Sequence, residues 1–290
     1  MINNFGWRGF DKHDERDYPY IPKIGYQALP DLWSNKERFV ESVGLPFNQT
    51  NLGSCGAWTA KENIIYDDLQ DGAWFPPSAI FIYYNARMEM GMQYVNQDSG
   101  VTNRELCNSL KKYGACHISL WPDDNSKFTV KPSVEAYADG LKRAIKSYSR
   151  VNQTMEDIKA CIAGGDTFIL GFKVYPSYKQ AAQNGGLFPD PQPGEQAIGG
   201  HDVTAVGYDS EGVFILNHWG LWGNKGFGKM SWNYILNRNA AGDFWVIDAG
   251  NPTVVVDPNP PPNPQPTGKI EIWVDNIQKV QIPGYRVIKI

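Results

Sequence analysis

The chain has 290 residues, enough for one large domain or two smaller ones, and its 42% hydrophobic and 13% aromatic content excludes a wholly disordered chain. With 27 basic residues against 31 acidic, the formal net charge of −4 gives no electrostatic footprint for nucleic acid. The four cysteines form no C-x-x-C pair and only four histidines accompany them, which speaks against a structural zinc site, and no metal or organic cofactor is expected. The N-terminus lacks the basic start and apolar run of a secretory signal, and no stretch approaches 18 apolar residues. A reducing setting, cytoplasmic or virion-associated, with no membrane partner is the expectation.

In chain order, residues 1–45 are polar and turn-rich with scattered aromatics, and read as an irregular strap packed on a core. Residues 55–71 place Trp58, Ile65 and Leu69 on one helical stripe that Gly72 ends. Thr102 and Glu105 form a capping-box pattern ahead of Leu106, Leu110 and Tyr113, with Gly114 as the stop. Thr154 and Asp157 repeat the signal before Ile158 and Ile162, and Gly164 and Gly165 close that helix. Beyond residue 165 the period changes. Residues 167–175, 203–208, 213–217, 227–232 and 244–247 are short, β-rich and separated by turn residues. Helices first and strands second predict an α+β fold of two subdomains with a cleft between them, over residues 46–250. A Pro-rich linker at 251–268 carries six prolines within residues 257–266 and cannot join a sheet. The tail at 269–290 alternates like short β-strands but is too small to bury a core alone. It is expected to dock on its own domain, a second copy or a partner.

Cys55 opens the first helix, where unpaired amides and the helix dipole favour an anion and lower a thiol pKa. His201 enters a strand, and Asn217 lies sixteen residues further on. A cysteine nucleophile needs a base to hold it as thiolate, and the base needs an amide or carboxylate to fix its ring; these three residue types supply that set.

These residues, with Gln49 six positions before Cys55 and Trp219 two after Asn217, resemble the papain-like cysteine peptidase family, and more closely its bacterial and viral branch. The Cys-to-His separation of 146 residues fits that family. The segments around residues 75–84, 98–100, 113–116, 120–122, 194–201 and 219–228 resemble that branch's connecting segments, so the likeness covers roughly residues 40–248. The resemblance implies a papain-like two-subdomain fold and hydrolysis of peptide or protein substrates through a thioacyl-enzyme on Cys55, as an endopeptidase. It implies His201 as general base and then acid, Asn217 as its orienting partner, Trp219 as the shield of that hydrogen bond, and Gln49 with the Cys55 amide as oxyanion donors. Ser99 and Gly100 would pair with an extended substrate, alongside Gly200 and Trp219, and Asp202 would favour a basic side chain in the pocket it faces.

The chain departs from the family at three positions: Gly56 follows the nucleophile where Trp is usual, His218 stands where Ser is common, and Asp202 replaces a small apolar residue. No long amphipathic helix precedes Cys55, so either the enzyme is made ready to act or the strap occludes the cleft. Cys107, Cys116 and Cys161 read as packing residues, with a Cys107–Cys116 disulfide as the oxidised alternative. His218 reads as a packed neighbour of the site. Two other functions stay open: a virion-associated structural protein that keeps the protease scaffold, and a peptide ligase using the same thioester.

Overall fold

A computed structural model describes residues 5–37, 39, 46–70 and 75–250, all of them within the unit Met1–Val254. The expected linker 251–268, the tail 269–290 and the Gly72 helix stop lie outside the described residues. The helix expected at 55–71 runs from Cys55 to Gln70 (α1), and almost all of its first three turns are buried. α2 (Ala79–Met90), capped by the Ser78 hydroxyl on the Phe81 N–H, packs against it. Nine of its twelve residues are buried, so it has no polar face to give a periodic signal, and no helix is expected there from the sequence. Arg87 on α2 is fully buried yet satisfied, donating to the carbonyls of Tyr83, Val95, Gln97 and Phe128. α3 (Asn103–Tyr113) ends at Gly114, which adopts φ +66°. Thr102 is its N-cap residue, as expected, but its side chain makes no capping bond. Asp11 of the strap does so instead, accepting from the Arg104 N–H at 3.0 Å. α4 (Val134–Gly140) is a short addition, and α5 (Met155–Ala163) has the expected cap, Thr154 accepting from the Asp157 N–H.

The sheet strands are β1 (Trp33–Ser34), β2 (Ser147–Arg150), β3 (Phe168–Val174), β4 (Leu187–Phe188), β5 (Gly199–Tyr208), β6 (Gly212–Leu216), β7 (Phe227–Ser231) and β8 (Ala241–Asp248), with a one-turn helix α6 (Trp232–Leu236) after β7. They order as β2-β8-β3-β5-β6-β7-β4, with β1 also on β5, and every pairing is antiparallel except β4 with β7. The two faces of the central strands belong to different cores. Phe168, Leu170, Phe172 and Phe244 pack with Ile158, Ile162 and Val203, whereas Ile169, Trp245 and Ile247 pack with Phe81, Leu106 and Leu110 of the helical half. The period of two in a strand therefore joins the two halves of an α+β fold through a sheet buried on both sides. Cys107 and Cys116 sit in the helical core and Cys161 in the sheet core, all free.

The strap is tied along its length. Tyr20 and Lys23 hydrogen-bond the Asp166 carboxylate at 2.6 Å each, and Asn35 donates to the Ile162 and Asp166 carbonyls. Closer to the N-terminus, Asp11 and Asp17 meet Asp243, Arg104 and Arg150. Arg104 and Arg150 both reach Asp17, Arg150 also binds Asp243 at 3.0 Å, and the Asp11 N–H donates to Asp243 at 2.7 Å.

Candidate active site

Cys55 is the first residue of α1, so its own N–H has no intrahelical acceptor; the first turn closes from the Trp58 N–H to the Ser54 carbonyl. The side chain is fully buried. Its Sγ lies 3.6 Å from Asp202 Oδ2, and Asp202 Oδ1 accepts from Asn103 Nδ2 at 2.9 Å. Burial, and next the Asp202 carboxyl, push the thiol above its ordinary range; burial likewise raises Asp202. The Gly56 departure has a steric reason. A Cβ there would lie 2.8 Å from Val101 and 3.3 Å from Leu106, so the space a Trp would need is filled.

Antiparallel pairing of Thr204 with Leu216 brings the start of β5 beside the end of β6. His201 Nε2–H thus donates to Asn217 Oδ1 at 2.9 Å, which leaves Nδ1 as the basic nitrogen, without a partner among the described residues. Asn217 Oδ1 also accepts from the His218 N–H at 2.9 Å. The Trp219 indole stacks on the His201 ring, 4.4 Å between centroids, and its N–H donates to Gln49 Oε1 at 3.2 Å. Gln49 is buried, and one hydrogen of its Nε2 goes to the Leu52 carbonyl at 2.7 Å. Burial, followed by the neighbouring His218, holds His201 well below the usual imidazole range.

The strap crosses this cleft. The Val101 N–H donates to the Gly6 carbonyl at 2.8 Å, the Arg8 N–H to the Val101 carbonyl at 3.0 Å, and the Trp7 N–H to the Gly200 carbonyl at 2.9 Å. Arg8 also reaches the Ser99 carbonyl. On the other side of the nucleophile Phe5 packs edge-on to His201 and against Trp219 and Tyr178. The passage is made of glycines. A Cβ on Gly6 would meet the Gly53 carbonyl oxygen at 1.9 Å, and one on Gly100 would meet the Gly6 oxygen at 2.0 Å. Asp98 sets both walls, binding the Gly53 N–H and the Tyr83 hydroxyl, which in turn accepts from the Gly100 N–H. Ser99, Gly100 and Gly200, expected to meet substrate, therefore all lie against the strap. Asp202 is fully buried against Cys55 and Asn103.

Two features of the site escape sequence reasoning. The strap's path through the cleft depends on contacts between residues from 47 to 214 positions apart, which leave no local signal. The second is Glu62, fully buried on α1 and bonded to His218 Nδ1 at 3.2 Å and to the Thr204 hydroxyl at 2.6 Å. Its signal is present: Lys61, Glu62 and Asn63 are consecutive polar residues that span most of a helical turn, so a buried helix must enclose at least one.

No family model matches the chain. A peptidase C1-like protein of Acanthamoeba polyphaga mimivirus is 34% identical over 267 residues, covering 86% of this chain and 85% of its own. Among solved structures, xylellain, a cysteine protease from Xylella fastidiosa, matches with a TM-score of 0.75 at 33% identity, covering 85% of this chain and 96% of that one. The digestive procathepsin L 3 of Tenebrio molitor reaches a TM-score of 0.61 at 16% identity over 80% of this chain and 73% of its own, a likeness of fold. With a buried thiol at the head of a helix, a His–Asn pair under a tryptophan, and a relative alike over most of both lengths, the chain belongs to the papain-like cysteine peptidases.

Proposed function

We propose that this cysteine protease is an endopeptidase, held latent by its own residues 5–8. Cys55 thiolate attacks the substrate carbonyl carbon while Gln49 Nε2 and the Cys55 N–H receive the oxyanion. The C–N bond breaks, the leaving amine takes its proton from His201, and a thioester remains on Cys55. His201 then takes a proton from water as it attacks, the acid departs and the thiol is restored. Asn217 holds the imidazole tautomer, and Trp219 keeps water from that hydrogen bond.

The observation that carries the endopeptidase reading is the strap itself: residues 5–8 pass over the nucleophile and pair with both walls of the cleft. A cleft that holds a continuing chain suits cleavage within a chain. The strap is bonded to both walls as it crosses: the Gly6 carbonyl accepts from the Val101 N–H at 2.8 Å and the Trp7 N–H donates to the Gly200 carbonyl at 2.9 Å, so a substrate must displace these bonds to enter. The test is hydrolysis of a fluorogenic peptide blocked at both ends. Internal cleavage that disappears in Cys55→Ala is expected; activity surviving Cys55→Ala, or cleavage confined to peptides with a free terminus, overturns the reading. Added amines that divert the product from acid to amide would instead indicate a ligase.

A further inference from the structure

Behind the His201–Asn217 pair lies a second buried pair that the chemistry above does not use. Glu62 and His218 are both fully buried. Glu62 Oε1 meets His218 Nδ1 at 3.2 Å, and Oε2 accepts from the Thr204 hydroxyl at 2.6 Å. Asn63 Nδ2 donates to that hydroxyl at 3.2 Å, and Asn63 Oδ1 accepts from Thr167 at 2.8 Å. Glu62, Thr204 and His218 each belong to a segment that carries a site residue. Glu62 lies two turns along α1 from Cys55, Thr204 is on β5 with His201, and His218 follows Asn217. The His218 backbone joins two more: its N–H bonds Asn217 Oδ1, and its carbonyl accepts from the Gln49 N–H at 2.9 Å. One carboxyl thus braces the nucleophile's helix, the base's strand and the loop that carries the orienting amide.

We propose that Glu62 and His218 form a positioning pair that sets the relative placement of Cys55, His201 and Asn217 without touching substrate. The inference rests on the roles given above to those three residues. Burial pushes the Glu62 carboxyl up, and the His218 imidazole down to about 3, which favours the uncharged pair with the carboxyl O–H donating to Nδ1. Leucine and similar apolar residues would fill this space with equal or better stability. What they could not do is fix three elements at hydrogen-bonding distance, and a placement error near 1 Å is enough to slow such chemistry by on the order of 10²-fold.

The test compares variants of the full chain by kcat, KM, thermal melting and the rate at which iodoacetamide alkylates Cys55. Glu62→Gln keeps an acceptor for Thr204 and a donor for His218, and is expected to hold kcat within about threefold. Glu62→Leu has similar bulk without those bonds; kcat is expected to fall about tenfold or more at nearly unchanged KM, with alkylation slowed in step. His218→Leu should match it, and the double variant should be no worse than either single one, as for residues that act as a unit. If Glu62→Leu does not fold, Glu62→Asp serves, since its carboxyl stops one methylene short of His218. Wild-type kcat in a folded Glu62→Leu or Glu62→Asp, or a loss confined to melting temperature, overturns the pair's role. A wild-type chain in which Cys55→Ala changes nothing would instead sink the underlying catalytic reading.

Discussion

Cys55 is subject to opposed influences. Its place at the start of α1 favours a thiolate, as expected from sequence, yet burial and the Asp202 carboxyl raise its pKa, so in the strapped form it rests as a thiol. The unshared Nδ1 of His201, itself held neutral by burial, agrees with a site in which no thiolate–imidazolium pair has formed. Asp202→Asn removes the second-largest cause of the shift while Asn103 keeps a partner. The expected result is faster alkylation of Cys55 at pH 6–7 than in the wild type; an equal or slower rate would show that Asp202 does not restrain the thiol. The sequence could place the nucleophile but not this restraint, because strand alternation at Asp202 turns its carboxyl toward α1 only once the two halves of the fold are joined.

Among the elements, the strap is the one whose behaviour a single atom decides. A methyl group on Gly6 has to displace the Gly53 carbonyl, and overpacking of this kind costs about 1–3 kcal/mol. Gly6→Ala is therefore expected to raise peptidase activity of the full chain by about tenfold, since 1.4 kcal/mol is a factor of ten. Unchanged activity, with the fold intact by melting, would refute latency through this contact. How far elements were legible follows from how local their causes are. α1, α3 and α5 and the five longer strands carry periodic patterns with turn residues at their ends, and appear close to the expected positions. α2 is buried all round over its first nine residues, β2 has four residues and β1 and β4 have two, so none offers a pattern to read. The Thr102 capping box was locally sound, but Asp11 arrives from 91 residues away and takes the cap's work. The site was legible through the spacing of Cys55, His201, Asn217 and Gln49; its brace at Glu62 and its cover at residues 5–8 depend on the assembled fold.

For the whole molecule, the junction between strap and body holds three carboxylates, Asp11, Asp17 and Asp243, against two guanidiniums, Arg104 and Arg150. Below about pH 6 a proton offsets that surplus of negative charge. Burial, and next the charge of Asp243, raise Asp11 from 3.8 to about 6. The docked strap therefore binds a proton that the released strap, with Asp11 in water, gives up between these two values. Docking is strongest below about pH 4 and weakens as pH rises through about 6, by on the order of tenfold or more. The ratio of wild-type to Asp11→Asn activity is expected to climb from about pH 4.5 to 7, since the amide stays uncharged at every pH and its oxygen can still cap Arg104. A ratio that falls with pH would reverse the assignment.

The strap is held in the cleft at residues 5–8, at Asp11, and on the body from Asp17 onward, with an exposed turn at Glu15 and Arg16 between the last two anchors. While the chain is whole, the cleft segment meets its binding site at the effective concentration of a tethered ligand, in the millimolar range for a short flexible link. One cut in that turn would change no contact in the cleft, yet would turn the segment into a free peptide whose occupancy falls with dilution. The latency proposed for this molecule would then be a property of chain connectivity as much as of fit. The nicked protein should gain activity when diluted, whereas the intact chain should show the same specific activity at every concentration.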